Sequence, residues 1–246
     1  MNAYCRADSL PPVALLAGGL ATRLMPVTSK TPKSMVEVAG QPFIAHQLRL
    51  LARQQIESAV ICCGHLGEQI EAFVQDGSRF GLRVQYSHDG ERLLGTGGAL
   101  KQALPLLGEA FFVMYGDSYL IQPVAPVWQA FRESGMLALM SVFRNEGRWD
   151  TSNVEFRGGR ILRYEKGTTD SDMQHIDYGL GVLHSDVFRW WPFPDAFDLQ
   201  SLYRMLVKDG LLAGYEVAHR FYEIGSHEGL KETDALLRTD SHEVQA

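Results

Sequence analysis

Short continuous apolar runs alternate along the chain with segments in which apolar residues recur every three or four positions. "VALLA" at 13–17 is unbroken and runs into Gly18-Gly19, the pattern of a strand buried on both faces of a parallel sheet. After a polar loop, Pro42 opens "PFIAHQLRLLARQQ", where Ile44, Leu48, Leu51 and Ala52 fall on one helical face. The alternation continues through the strand "SAVICC", the helix "LGEQIEAFVQ", the strand "LRVQYS", the helix "GGALKQALPLL", the strand "AFFVMYGD", the helix "VWQAFRES" and the strand "LALMSVF". This order predicts β-α-β units: an α/β fold with a single Rossmann-like sheet, mixed but mainly parallel, flanked by helices.

Beyond Arg144 the rhythm changes. "NVEFRGGRILRYEK" sets two strand-like runs around Gly158-Gly159, a hairpin signal, and "HIDYGLGVLH" reads as a further strand. "LQSLYRMLVKDG" is a helix stopping at Gly210, and "HEGLKETDALLR" closes the chain as another. The hairpin region reads as a β lobe inserted into the sheet. No proline- or serine-rich linker and no internal repeat divide the chain, so the expected organisation is a mobile leader over 1–12, one domain over 13–240 and a tail over 241–246.

Composition narrows the class. With 46% hydrophobic residues in 246, the chain can bury a full core. It has no run of about eighteen apolar residues to span a bilayer. Its N-terminal stretch carries Asp8 and two prolines ahead of an apolar run too short for a secretory signal, so a cytoplasmic protein is expected. Cys62 and Cys63 are neighbours on a strand and point to opposite faces; with Cys5 they fit no zinc spacing and read as buried thiols. The histidines form no metal-binding pattern, and His46, His65 and His88 read as polar helix or loop residues. Trp190-Trp191 is expected to cover the core or a subunit interface, and Trp149 to line a ligand pocket.

A net charge of −6 argues against general nucleic-acid binding. The exception is local: no Asp or Glu falls between Asp8 and Glu37, whereas Arg23, Lys30 and Lys33 do. A cationic loop on an acidic chain suits a small polyanion, or is simply a solvated loop. In open α/β sheets ligands sit beyond the carboxyl ends of the strands, where "AGGLATR" falls. Gly18 and Gly19 let a backbone approach closely and present N–H groups to phosphate, although a tight structural turn has the same composition. Neither standard phosphate-loop spacing is present. Arg23 offers a planar fork for phosphate oxygens, Lys33 a point charge, and Pro26 and Pro32 stiffen the path between them.

These residues resemble the signature of the sugar-1-phosphate nucleotidylyltransferases, L-A-G-G-x-G-T-R-L-x-P-x-T followed by P-K-x-M. Leu16, Ala17, Gly18, Gly19, Thr22, Arg23, Leu24, Pro26, Thr28, Pro32, Lys33 and Met35 match it, and Ala21 stands where glycine is usual. The resemblance implies a nucleoside triphosphate and a sugar 1-phosphate as partners and Mg²⁺ as cofactor. It assigns Leu16, Ala17, Gly18, Gly19 and Thr22 to the nucleotide, with Gly95 and Thr96 of "LGTGGAL" against the base through their backbone. Arg23, Lys33 and Asp117 would be catalytic. Asp117 of "MYGDSYL" would bind the metal with Glu223 of "FYEIGS", which replaces the usual aspartate. Taken alone, Asp117 equally suits a helix cap and Glu223 a solvated surface.

On the sugar side, the resemblance implies that Glu165 accepts from sugar hydroxyls and Lys166 holds the sugar phosphate; a charged hairpin end is the plain alternative. Gly179 would pass close to the sugar, with Asp177 where asparagine is usual and Asn153 where glycine is usual. The segments "YGDSYL" and "YEIGS" look most like the short heptose- and mannose-1-phosphate guanylyltransferases, which favours GTP. N-acetylmuramate-1-phosphate uridylyltransferases are the alternative, and a silent nucleotide-sugar-binding relative is an alternative of another class. A homo-oligomer is compatible with the sequence.

Overall fold

The computed structural model describes residues 9–19, 30–167 and 170–243. Thr22, Arg23 and Ala21 lie outside the described residues.

The predicted alternation is realised. The chain runs β1 (Val13–Leu16), β2 (Glu37–Val38), β3 (Gln41–Pro42), α1 (Phe43–Arg53), β4 (Ser58–Cys63), α2 (Gly67–Val74), β5 (Arg83–His88), α3 (Gly95–Leu107), β6 (Ala110–Tyr115), β7 (Ser118–Tyr119) and α4 (Val124–Ser134). It continues with β8 (Ala138–Arg144), β9 (Val154–Arg157), β10 (Arg160–Tyr164), β11 (His175–His184), α5 (Val187–Trp190), α6 (Leu199–Lys208), β12 (Leu212–Val217), β13 (Tyr222–Glu223) and α7 (His227–Glu243).

Nine strands form one sheet in the order β5-β4-β1-β6-β11-β8-β12-β10-β9. β5, β4, β1 and β6 are mutually parallel, β11 runs antiparallel to both β6 and β8, and β12 is parallel to β8. Alternate residues of β1 enter different cores. Val13 and Leu15 pack with α1, α2 and α4, whereas Ala14 and Leu16 pack with α3 and α6. The adjacent cysteines divide in the same way, Cys63 to the first face and Cys62 to the second, and burial raises both thiols. A third cluster, with Val36, Val38, Phe43, Tyr119, Ile224 and Leu237, ties α7 and the β7–β13 ribbon to the main body.

The expected hairpin is present, with Gly158 and Gly159 at φ of 56° and 78°, the left-handed pair that a two-residue turn requires. It does more than decorate the sheet. β9 pairs with β10 and, at Val154↔His175, with β11, so β11-β8-β12-β10-β9 close into a ring. β12, which the sequence pattern did not predict, completes this ring. Gly214 in its middle accepts the ring of Phe156, since a Cβ there would come within 2.6 Å of it.

Two expected boundaries shift. Leu10 packs against the core and the Pro12 carbonyl accepts from Phe112 N–H, so the body begins ahead of residue 13. α7 runs on to Glu243, past the expected start of the tail.

Candidate active site

β1 is flanked by β4 on one side and β6 on the other. It is therefore the point at which the strand order reverses, where open α/β sheets bind ligands beyond their carboxyl ends. A cavity of about 420 Å³ lies there. Leu16, Ala17, Gly18 and Gly19 leave β1 along one wall, Tyr115, Gly116 and Asp117 leave β6 along another, and Gly95, Thr96 and Ala99 of α3 form the floor.

Gly18 is needed because the loops after β1 and β4 cross: a Cβ on Gly18 would lie 2.9 Å from Gly64 N. Gly19 has open space at that position and faces the cavity. Lys33 begins a short 3-10 turn after Pro32, and its Nζ lies 2.6 Å from Asp117 Oδ2, with 16% and 33% of the two side chains exposed. Ser34 also lines the cavity, and its buried hydroxyl has no partner among the described residues. Gln47, buried on the inner face of α1, donates its amide to the carbonyls of Tyr115 and Ser118 at 3.0 and 2.8 Å and so fixes the loop that carries Asp117.

The glycines of "LGTGGAL" have a packing cause. The segment before α6 docks on the first turn of α3: Gly97 and Gly98 N–H donate to the Phe197 carbonyl at 2.9 and 3.1 Å, and Phe197 N–H donates to Leu94 O at 2.8 Å. Side chains at Gly97 and Gly98 would overlap the Phe197 ring and the Asp195 carbonyl. The Thr96 hydroxyl accepts from Leu199 N–H at 2.8 Å, which leaves its backbone as the part facing the cavity. Asp89 lines the same region and accepts from Leu94 N–H at 3.1 Å; burial raises its carboxyl above the usual range.

The lobe meets the cavity at Tyr115. Lys166 Nζ sits 5.7 Å from the Tyr115 ring centroid and 5.9 Å from that of Tyr164. Gly179, at φ 87°, lies beside Tyr115, and a Cβ there would be 3.3 Å from that ring. Asp177 is built into the strand bulge: its Oδ1 accepts from Gly179 N–H at 3.0 Å and its Oδ2 from Tyr164 OH at 3.2 Å. Burial, followed by the charge of Asp177, pushes the Tyr115 phenol well above its ordinary range.

Three residues expected on this side have other partners. Asn153 is buried with its Oδ1 accepting from Asp177 N–H at 2.9 Å, which makes it a clip between the hairpin and β11. Glu165 stands apart from the cavity, in an outer groove with Arg204 at 3.7 Å. Trp149 lies under the Arg220 guanidinium, 3.4 Å from its ring centroid, and borders a different groove. Trp191 packs on the second core, while Trp190 is 59% exposed.

Glu223 reaches the site by its backbone: β13 pairs Glu223 with Ser118, and Ile224 N–H donates to the Asp117 carbonyl at 2.9 Å. Its carboxylate is turned toward α7, where it accepts from Gly225 N–H and, at 2.6 Å, from the Ser226 hydroxyl. Gly229 leaves the space it occupies. Among the described residues no three His, Cys, Asp or Glu side chains gather as a metal cage. The donor set nonetheless fits a hard cation held by one carboxylate together with ligand phosphates and water. Among the described residues, three aspartates, Asp89, Asp117 and Asp198, line the cavity against one lysine, Lys33.

The mixed sheet with flanking helices and a cleft at the switch point defines the class: an α/β protein with a cavity above β1 and β6. Residues 13–152 match the nucleotidyl transferase family model, and the chain belongs to that family. It is 29% identical over 238 residues to the N-acetylmuramate alpha-1-phosphate uridylyltransferase of Caulobacter vibrioides, covering 92% of this chain and 97% of that protein. To the D-glycero-alpha-D-manno-heptose 1-phosphate guanylyltransferase of Campylobacter jejuni it is 26% identical over 187 residues, covering 76% and 82%. Among solved structures, HddC from Yersinia pseudotuberculosis superposes with a TM-score of 0.75 at 22% identity, covering 93% of this chain and 100% of that one, a likeness of fold. Among the described residues no helix is long and apolar enough to cross a membrane.

Proposed function

We propose that this chain transfers a nucleoside monophosphate from a nucleoside triphosphate to a sugar 1-phosphate, releasing pyrophosphate and leaving a nucleotide-diphospho-sugar. The observation that carries this reading is the convergence of Gly18, Gly19, Lys33, Asp117, Gly95 and Thr96 on one cleft in a chain of the nucleotidyl transferase family.

A phosphate oxygen of the sugar 1-phosphate attacks the α-phosphorus in line, and the bond to the pyrophosphate oxygen breaks. The nucleophile arrives ionised, so no general base and no covalent enzyme intermediate are required. The task of the protein is to hold two like-charged phosphates together. Backbone N–H groups around Gly18 and Gly19 receive the triphosphate, and Lys33 leaves Asp117 for the α-phosphate. Arg23 stabilises departing pyrophosphate, and Lys166 holds the sugar phosphate against Tyr115. Asp117 would hold Mg²⁺, which would supply Lewis-acid charge neutralisation when bound; Glu223 would join Asp117 in this only by giving up its hydrogen bonds from Gly225 and Ser226.

The segments "YGDSYL" and "YEIGS" favour GTP with a heptose or mannose 1-phosphate, and the Campylobacter relative supports that choice. The near full-length match to the Caulobacter enzyme favours a second reading, UTP with N-acetylmuramate 1-phosphate. A matrix of the common nucleoside triphosphates against several sugar 1-phosphates with Mg²⁺, scored by pyrophosphate formed, tests both. Nucleotide-sugar binding without pyrophosphate release in every cell would mean a silent relative and end the proposal.

A further inference from the structure

Asp198 occupies the N-cap of α6, a position where aspartate ordinarily turns its carboxylate back onto the free N–H groups of the first turn. Here it makes no capping hydrogen bond. Thr96 Oγ1 has taken that role from another element by accepting Leu199 N–H. Asp198 instead lines the cavity, where a Cβ on Gly95 would be 3.4 Å from its Oδ1. The docking of Phe197 on Leu94, Gly97 and Gly98 sets its position.

The acidic neighbours are all occupied. Asp117 pairs with Lys33, Asp89 accepts from Leu94 N–H, and Asp177 accepts from Gly179 and Tyr164. The Asp198 carboxylate has no hydrogen bond or ion pair among the described residues, so no described side chain competes with a ligand for it. Its place is the border between the two halves of the site. α6 packs on α3 along one side and on β10, the strand leading to Lys166, along the other. Asp198 also acts electrostatically on Tyr115, the ring beneath Lys166.

We propose that Asp198 sets the charge class of the acceptor sugar, accepting hydrogen bonds from the hydroxyls of a neutral sugar 1-phosphate and rejecting one that carries a carboxylate of its own. This inference rests on the nucleotidyl-transfer reading and selects within it. A carboxylate is an acceptor only, which suits hydroxyl donors. A uronate, or the 3-O-lactyl group of N-acetylmuramate, brings a second carboxylate toward the first, and like charges meeting inside a site discriminate strongly against the wrong partner. Neutral hexose or heptose 1-phosphates are therefore the substrates, and N-acetylmuramate 1-phosphate is not.

The test uses two matched pairs, glucose against glucuronate 1-phosphate and N-acetylglucosamine against N-acetylmuramate 1-phosphate, with wild type and Asp198→Asn. Each sugar is scored by kcat/KM or, for a non-substrate, by its competitive inhibition constant. Wild type is expected to favour the neutral member about tenfold or more. Asp198→Asn, an exposed position without hydrogen bonds to lose, should erase most of that ratio while leaving Tm unchanged; any effect on triphosphate binding is shared by both members of a pair and cancels from the ratio. High salt should shrink the wild-type ratio and not that of the variant. An unchanged ratio in the variant, or a wild type preferring the anionic member, overturns the inference alone. Absence of pyrophosphate from every cell of the triphosphate–sugar matrix, heptose and mannose 1-phosphates included, removes the proposed function and this inference together.

Discussion

Replacing Gly229 by alanine tests the cradle around Glu223. A Cβ there would overlap the Glu223 carboxylate and lie 2.6 Å from the Glu223 carbonyl oxygen, which is itself held by the Thr233 hydroxyl at 2.9 Å. The side chain can swing away, giving up the hydrogen bonds from Gly225 and Ser226; the carbonyl has no such freedom. Hydrogen bonds to a charged group contribute about 1.5–3 kcal/mol, and the lower end applies to a carboxylate that is partly exposed. Forced displacement of packed backbone adds about 1–3 kcal/mol, while the helix gains about 1 kcal/mol from exchanging glycine for alanine. The sum is a net loss of about 1.5–3.5 kcal/mol, read as a lower urea midpoint at unchanged slope. Glu223→Gln, which retains one acceptor oxygen, should lose less than half as much. If Gly229→Ala equals or exceeds wild-type stability, the helix term alone is operating and the cradle does not exist.

Asp117→Asn and Arg23→Ala should each lower kcat at least about a hundredfold with circular dichroism unchanged; near-wild-type turnover in either removes that residue from the proposed chemistry. Burial raises the Asp89 carboxyl above its usual 3.8, so the folded chain keeps this proton to a higher pH than the unfolded chain and stability declines as pH climbs past 3.8. Asp89→Asn preserves the acceptor for Leu94 and should raise Tm at pH 7, with the gain vanishing below about pH 3.8; an equal gain at pH 3.5 would contradict the burial argument. Burial pushes the Cys63 thiol up to about 12 and Cys62 higher still, so both should stay unmodified by iodoacetamide at pH 8 until urea unfolds the protein, as read by peptide mass spectrometry.

Elements with strong local patterning were legible in the sequence. "SAVICC" and "HIDYGLGVLH" coincide with β4 and β11 residue for residue, because continuous apolar runs between turn signals leave little else for the backbone to do. β12 escaped for a tertiary reason: Gly214 weakens its strand signal, and the glycine is there for Phe156, which lies 58 positions earlier in a strand that only the fold brings alongside. The catalytic candidates Lys33 and Asp117 were readable as motif residues, and the structure brings them together. Gln47 and Asp198 carry no motif. One looks like any polar residue on an amphipathic helix, the other like any N-cap, and their significance appears only when the Tyr115–Ser118 loop and Thr96 arrive from far along the chain. The glycines of "LGTGGAL" were visible as motif residues, but the reason for two of them was not: a distant segment of the chain demands the space at Gly97 and Gly98. His46 reads correctly as a polar helix residue, its ring nitrogen 2.8 Å from the Val38 carbonyl.

β11 belongs to two assemblies at once. Residues 180–184 pair with β6 beneath the cleft, residues 175–177 close the ring with β8 and β9, and between Asp177 and Gly181 the strand advances four positions against two on β8. That surplus is where the register of β11 against β8 breaks. The sheet beneath the cleft and the ring of the lobe thus share one strand, and its irregular stretch is the one that sets Gly179 beside Tyr115. A change in the length of this stretch would shift the lobe against the cleft while leaving the loops after β1 and β6 as they are.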